Sequence, residues 1–193
     1  MREFFLVVFA ALAACTIGVP SVVRFAVNNE VSEYRQNVRL QTYSFKNCLP
    51  ADQEMGVVSR LVFSPDPLSF PGPLNVSFAI DVKSTVSAPL KGSLYLGKKI
   101  DNTWIKVPCI GQIGSCSYDD VCALLSGIPG CPQPFVDAGI PCQCPFQKGS
   151  YNLPVASFDV NTAVFPPGDY HLQANLTYNN QPVGCYDIMV TFG

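Results

Sequence analysis

Nine cysteines in 193 residues, unevenly spread, limit what this chain can become. Cys15 stands alone near the start; Cys48, Cys109, Cys116, Cys122, Cys131, Cys142, Cys144 and Cys185 follow much later. What precedes them decides how they read. Arg2 leads into an apolar run from Phe4 to Ala14, too short to cross a bilayer, and small residues come after it. Residues 1–20 therefore read as a signal peptide, cleaved after Ala13, after Ala14 or a few residues on, and Cys15 lies within or at the edge of that leader. Leu12-Ala13-Ala14-Cys15 also matches the lipid-attachment pattern of bacterial lipoproteins. Eight cysteines behind an export signal read as four disulfides formed in an oxidising compartment. Metal binding is the competing account, and a single histidine without paired C-x-x-C repeats argues against it. The count alone leaves on the order of a hundred connectivities open.

A chain with 17 prolines and only 13% charged residues is poorly suited to long helices, because each proline removes an amide donor. Strand signals are correspondingly clear. In 74–82 the apolar residues Leu74, Val76, Phe78, Ile80 and Val82 alternate with Asn75, Ser77, Ala79 and Asp81. The same period of two runs through 170–178 and 186–192, and it places one set of side chains on each face of a sheet. Asn179-Asn180-Gln181-Pro182 is turn chemistry, so 170–178 and 183–192 are expected to form a hairpin. Weaker strands are expected at 57–63, 92–97, 103–108 and 150–158. One short helix is predicted near Cys122, with Ser117 as its cap, Asp120 completing the reciprocal box, and Val121, Leu124 and Leu125 as its apolar stripe. Residues 127–149 read as a proline-rich, cystine-held loop. Residues 21–43 carry mixed charge and no useful pattern, and read as a flexible arm or propeptide; a single domain is expected over 44–193.

Two N-x-[S/T] sequons, at Asn75 and Asn175, lie on the polar phases of the two best strands. A glycan must project into water, so the apolar phases of both strands turn toward one shared interior. Periodicity does not distinguish a filled sandwich core from an open cup.

Catalytic chemistry is sparse. His171 is the only histidine, sits on the sequon-bearing phase, and reads as a solvated surface residue. No G-x-S-x-G elbow, H-E-x-x-H helix or phosphate-binding glycine loop is present, and no free thiol remains if four bridges form. Asp119 and Asp120 suit a helix start better than a carboxylate pair in acid–base work. No catalytic residue, metal ligand or cofactor is assigned. The formal charge of −2 offers no field for gathering nucleic acid. Lys83, Lys91, Lys98, Lys99 and Lys106 cluster in one stretch and read as a solvated face ahead of a headgroup-binding patch.

Several segments together resemble the ganglioside GM2 activator family. They are Ser44-Phe45-Lys46-Asn47-Cys48, Trp104-Ile105-Lys106-Val107-Pro108-Cys109, GSCSYDDVC at 114–122, IPCQCPFQKGSYNLP at 140–154, Gly168-Asp169-Tyr170 and Val183-Gly184-Cys185. Asn75, just after Pro71-Gly72, also falls where that family carries its sequon. The likeness covers about 44–193. It implies an all-β fold: a single antiparallel β-cup of about eight strands around a hydrophobic lipid cavity, held by the pairs Cys48–Cys185, Cys109–Cys116, Cys122–Cys144 and Cys131–Cys142. It also implies a non-enzymatic carrier that extracts a ganglioside-like glycolipid from a membrane and presents it to a lysosomal β-hexosaminidase. The alternative is a secreted carrier of phospholipid, sterol or signalling lipid with no enzyme partner. A third reading, a structural module with a filled interior, needs no lipid at all. Secretory export, to the lysosome or the cell exterior, fits either carrier. Three departures from the vertebrate pattern are a shorter Cys122–Cys131 segment, Phe165 where a tryptophan is expected, and the arm before residue 44.

A lipid acyl chain of about 14 methylenes costs on the order of 11 kcal/mol to strip into water, at about 0.8 kcal/mol per methylene. A carrier must supply an equivalent apolar lining. Val76, Phe78, Ile80, Val82, Leu172, Leu176, Ile188 and Val190 are the expected lining. The turns holding Val86, Ala88, Pro89 and Leu90, and Val164, Phe165 and Pro166, are the expected membrane contacts. Trp104 reads as a structural anchor.

Overall fold

The computed structural model describes residues 43–161 and 165–193. The proposed leader, residues 21–42 of the proposed arm and Val164 lie outside the described residues, whereas Tyr43 is described and packs against the core. Among the described residues, nine strands form two antiparallel sheets: β1 (Ser44–Asn47), β2 (Gly56–Ser64), β3 (Gly72–Val82), β4 (Leu90–Ile100), β5 (Thr103–Lys106), β6 (Ser117–Tyr118), β7 (Gly149–Val160), β8 (Gly168–Tyr178) and β9 (Gln181–Phe192). One sheet has the order β1-β9-β8-β4-β5, with β6 added to β4; the other is β2-β3-β7.

The strongest alternations become the centres of the sheets. β8 lies between β9 and β4, and β3 lies between β2 and β7. The hairpin turn is tight: Tyr178 pairs with Gln181, and Asn179 and Asn180 take φ of 50° and 60°. Two consecutive left-handed residues match the twist of the flanking strands, and asparagine tolerates that backbone. The strand therefore begins at Gln181, ahead of the expected 183. β7 accepts Pro154 because the β3–β7 register slips between Val76 and Phe78; Pro154 and Val155 fall in the slip, and β7 is an edge strand.

Two local expectations need correction. The first helix, α1 (Val121–Ser126), is capped by Asp120, whose Oδ1 accepts the Cys122 amide at 2.9 Å. Ser117 is instead part of β6, paired with Ser93. The second is α2 (Gln133–Asp137), a helix inside the segment expected to be loop. Proline at a first helical turn loses no bond, and Gln133 Nε2 donates to Asp137 Oδ1 at 2.7 Å across one turn.

Four disulfides join Cys48 to Cys185, Cys109 to Cys116, Cys122 to Cys144 and Cys131 to Cys142. The first spans 137 residues and anchors the end of β1 to β9. The main core lies between the sheets, around Phe63, Leu68, Leu74, Leu153, Tyr170, Ile188 and Val190. A second cluster of Val86, Leu90, Cys122 and Val183 lies where β4 begins.

Candidate functional site

The two sheets are stitched together along one flank. Across it, Asn47 Nδ2 donates to the Val58 carbonyl at 2.8 Å, Tyr43 Oη to Leu61 at 2.9 Å and Tyr186 Oη to Gly56 at 2.8 Å. Burial, and then the Glu54 carboxylate, push the Tyr186 phenol well above its ordinary range. On the opposite flank, where β5 and β7 are the edges, no strand pairing joins the sheets among the described residues. That gap is lined by apolar side chains from outside the main strands: Val107 after β5, Phe135 on α2, and Ile140. Phe135 packs tilted against Phe78 and edge-on against Phe158, with ring centroids 6.0 and 6.2 Å apart.

The two ends of the interior differ. At the Leu90 end, α1 presses on β4. A side chain at Gly92 would meet Val121 at 2.9 Å and Leu176 at 3.3 Å, so glycine is what permits the contact. Asp120 Oδ1 also accepts the Leu90 amide at 3.0 Å, which holds the helix start to the strand start. Val86 and Leu90 are 2% and 3% exposed and plug this end. At the other end, Phe165 packs on Tyr170 and Phe192 with centroids at 5.4 and 5.0 Å, and Phe70 joins Phe192 at 5.9 Å. Tyr170 Oη donates to the Pro166 carbonyl at 2.7 Å, and burial raises the pKa of its phenol. Ile100 and Ile105 are about half exposed at this end.

The structure brings together part of the expected lining. Val76, Leu172, Ile188 and Val190 are buried in the main core, with Phe78 packed against it. Leu176 belongs instead to the second cluster, and Ile80 and Val82 are partly buried outside both. The reason is length. β3 and β8 are longer than the main core, so an unbroken alternation runs past its edge.

The expected membrane turns also need correction. Val86 and Leu90 are interior, leaving only Ala88 and Pro89 exposed in that turn. The two turns also stand at opposite ends. Leu90 pairs with Tyr178 while Lys98 pairs with Tyr170, a separation of roughly 27 Å at about 3.4 Å per residue. Phe165 is partly exposed and Pro166 exposed at the other end.

Other residues were not legible as site residues. Phe63, Leu153 and Phe158 lie in weaker strands whose faces no clean alternation defines. Phe135 lies in the proline-rich segment and carries no periodic signal. Lys98 lies on the inner face, its Nζ 5.5 Å from the Tyr170 ring centroid; the inward phase of β4 (Leu94, Leu96, Lys98) was the available clue. His171 is not a solvated residue. Its Nε2 lies 3.0 Å from Asp187 Oδ2, and Tyr95 and Trp104 flank its ring at 5.6 and 5.7 Å; Gly97, opposite His171, leaves room for the Tyr95 ring, whose Oη a Cβ there would meet at 2.7 Å.

The sequon residues face outward from both sheets. Asn175 is exposed, opposite Ser93, whereas Asn75 is partly buried and its Nδ2 donates to Ser64 Oγ at 3.1 Å.

Comparison with known proteins places this geometry. The profile of the ML domain matches residues 42–192. The ganglioside GM2 activator of Mus musculus is 35% identical over 158 residues, covering 78% of this chain and 81% of that protein. The ganglioside GM2 activator of Macaca fascicularis is 35% identical over 159 residues, covering 78% and 83%. Among solved structures, a Niemann-Pick type C2 protein from the Japanese carpenter ant aligns over 78% of this chain and 99% of its own, at 15% identity and a TM-score of 0.42.

Proposed function

The chain belongs to the ML-domain family and, within it, to the ganglioside GM2 activator proteins, and on that premise we propose that it extracts a glycolipid from a membrane and presents it to a β-hexosaminidase. It is a lipid-binding protein and not an enzyme. The observation that carries the finer reading is the asymmetry of the interior. One flank is tied across the sheets by hydrogen bonds from Tyr43, Asn47 and Tyr186 to β2 carbonyls, one end is closed by α1 and the second cluster, and at the β5–β7 flank the contacts are apolar packing by Val107, Phe135 and Ile140. Apolar contacts can re-form around an acyl chain, whereas a broken inter-sheet hydrogen bond leaves a polar group without its partner. Acyl chains would enter between the sheets there, against Leu172, Ile188, Val190, Val76 and Phe78, with Leu176, Ile80 and Val82 at the margin.

The Phe165 end, with Ile100 and Pro166, is the better candidate for membrane contact, because Ile100 and Pro166 are exposed there and the partly exposed Phe165 is held by Tyr170 and Phe192. The headgroup stays in water at the same end. Asn75 and Asn175 would carry glycans, and the protein would act in the lysosome or outside the cell, after export directed by residues 1–20.

The test has two arms. Purified protein is examined by native mass spectrometry for bound lipid and for uptake of a fluorescent sphingolipid. Hydrolysis of ganglioside in liposomes by β-hexosaminidase is then followed with and without it. Lipid uptake with stimulated hydrolysis is expected. Uptake without stimulation would leave a carrier with no such partner, and absence of any uptake would remove the carrier function.

A further inference from the structure

We infer that Asn175 carries an N-linked glycan that covers the Cys48–Cys185 bridge against protein reductants. The inference rests on the export expected of this chain and goes beyond the carrier reading. Asn175-Leu176-Thr177 is one of the two sequons, and it lies in β8, inside the larger sheet. Leu172 and Ala174 point into the core, 5% and 6% exposed, so Gln173 and Asn175 stand on the outer face. Cys185 is the register partner of Asn175 on β9, and Ser93 is its partner on β4. Opposed residues of an antiparallel pair hold their Cβ atoms about 5 Å apart, so a sugar on Asn175 Nδ2 begins beside the bridge. Ser93 and Cys185 are both small, which leaves the first sugar room to lie across the sheet. Gln173 stands on the same face, and its Nε2 donates to Cys48 Sγ at 3.8 Å.

The two sequons are not equivalent. Asn75 is partly buried, its Nδ2 donates to Ser64 Oγ, and Ser77 of the same sequon is buried. Asn175 is exposed, and among the described residues its side chain has no hydrogen-bond partner, so the amide is free to bear a sugar. The bridge beside it spans 137 residues, the longest of the four, and ties the edge strand β1 to β9. Cys185 is buried, but Cys48 is only partly so, which leaves the bridge within reach of the outer face. Reduction requires a thiolate to reach one of its sulfurs. A dithiol attacks Cys48 Sγ and Cys185 leaves as a thiolate. The second thiol of the reductant then displaces Cys48, so the electron pair passes to the bridge and the reductant closes its own disulfide. A small reductant needs access to the sulfur alone. A protein dithiol must lay its own surface over the face that Asn175 occupies, and a branched glycan there excludes it.

The test uses the full chain secreted from a eukaryotic host. Occupancy is read by peptide mass mapping before and after a glycosidase that converts each glycosylated asparagine to aspartate. The folded glycoprotein is then reduced with thioredoxin and, separately, with a small phosphine, and the Cys48 and Cys185 thiols are quantified by alkylation. Asn175 is expected to be occupied. Asn175→Gln should be reduced by thioredoxin about tenfold faster than the wild type, because access governs exchange, while its phosphine rate stays the same. Asn75→Gln, which removes the glycan of the other sheet, should behave as the wild type. Thr177→Ala and glycosidase treatment of the folded wild type remove the same glycan by other routes, so the comparison stands even if Asn175→Gln does not fold. An unoccupied Asn175, equal thioredoxin rates with and without its glycan, or equal acceleration by both reductants would overturn the inference and leave the carrier reading intact. A chain with both sequons bare and its cysteines unpaired would overturn the export reading itself.

Discussion

Replacing Asp120 by alanine tests how the plugged end of the interior is held. One carboxylate oxygen accepts two amides there, Cys122 at 2.9 Å and Leu90 at 3.0 Å. Loss of a helix cap costs about 1 kcal/mol. The Leu90 amide belongs to a residue 3% exposed, and a buried donor left without a partner costs about 1–3 kcal/mol more. The sum is about 2–4 kcal/mol. For a domain of this size each kcal/mol lowers Tm by about 2–4 °C, so Asp120→Ala should melt roughly 4–16 °C below the wild type. In urea the midpoint should fall at constant slope, since the folded surface is unchanged. Asp120→Asn is the control. Its Oδ1 accepts in the same place without the charge, and it should recover more than half of the loss. Asp120→Ala within about 0.5 kcal/mol of the wild type, or Asp120→Asn as damaging as alanine, would show that these two hydrogen bonds do not hold α1 to β4.

Other perturbations address other parts of the molecule. Leu90→Asp places a carboxylate in the sealed end and should destabilise by more than about 3 kcal/mol, whereas Ala88→Asp, exposed in the same turn, should change the urea midpoint little; equal effects would contradict the assignment of this turn. Serine at both Cys48 and Cys185 frees a loop spanning 137 residues and should cost about 5 kcal/mol in the chain-entropy account, measured by denaturation against the oxidised protein. Tyr186 keeps its proton in the folded state above the ordinary phenol value of 10.0. Stability that is complete below about pH 10 should therefore be lost as pH rises further, because only the unfolded chain ionises there, and Tyr186→Phe should decline less steeply over that window. Lipid transfer from liposomes should slow when Pro166 becomes Asp and stay unchanged for Ala88→Asp, which stands at the other end; the reverse order would exchange the two ends.

What the chain determines by itself is what neighbouring residues settle between them. Alternation at 74–82 and 170–178 places one face inward whatever lies opposite, and Asn179-Asn180 accepts the left-handed backbone of a tight turn, so the central strands and their hairpin are readable without coordinates. The cysteine-rich segments carry the family likeness for the same reason: it is a matter of residue identity and spacing. Tertiary structure alone decides which ends of those strands are sealed. Val86-Ser87-Ala88-Pro89-Leu90 and the turn at Phe165 look equally apolar in sequence, yet α1 covers the first while Phe165 remains partly exposed. His171 reads as a surface residue until Tyr95 and Trp104, distant in sequence, pack against its ring. Lys98 and Lys99 are adjacent identical cations, and register with Tyr170 sends the first to the inner face while the second reaches the Asp169 carboxylate. Burial and charge pairing depend on partners brought from elsewhere in the chain, and local pattern contains no record of those partners.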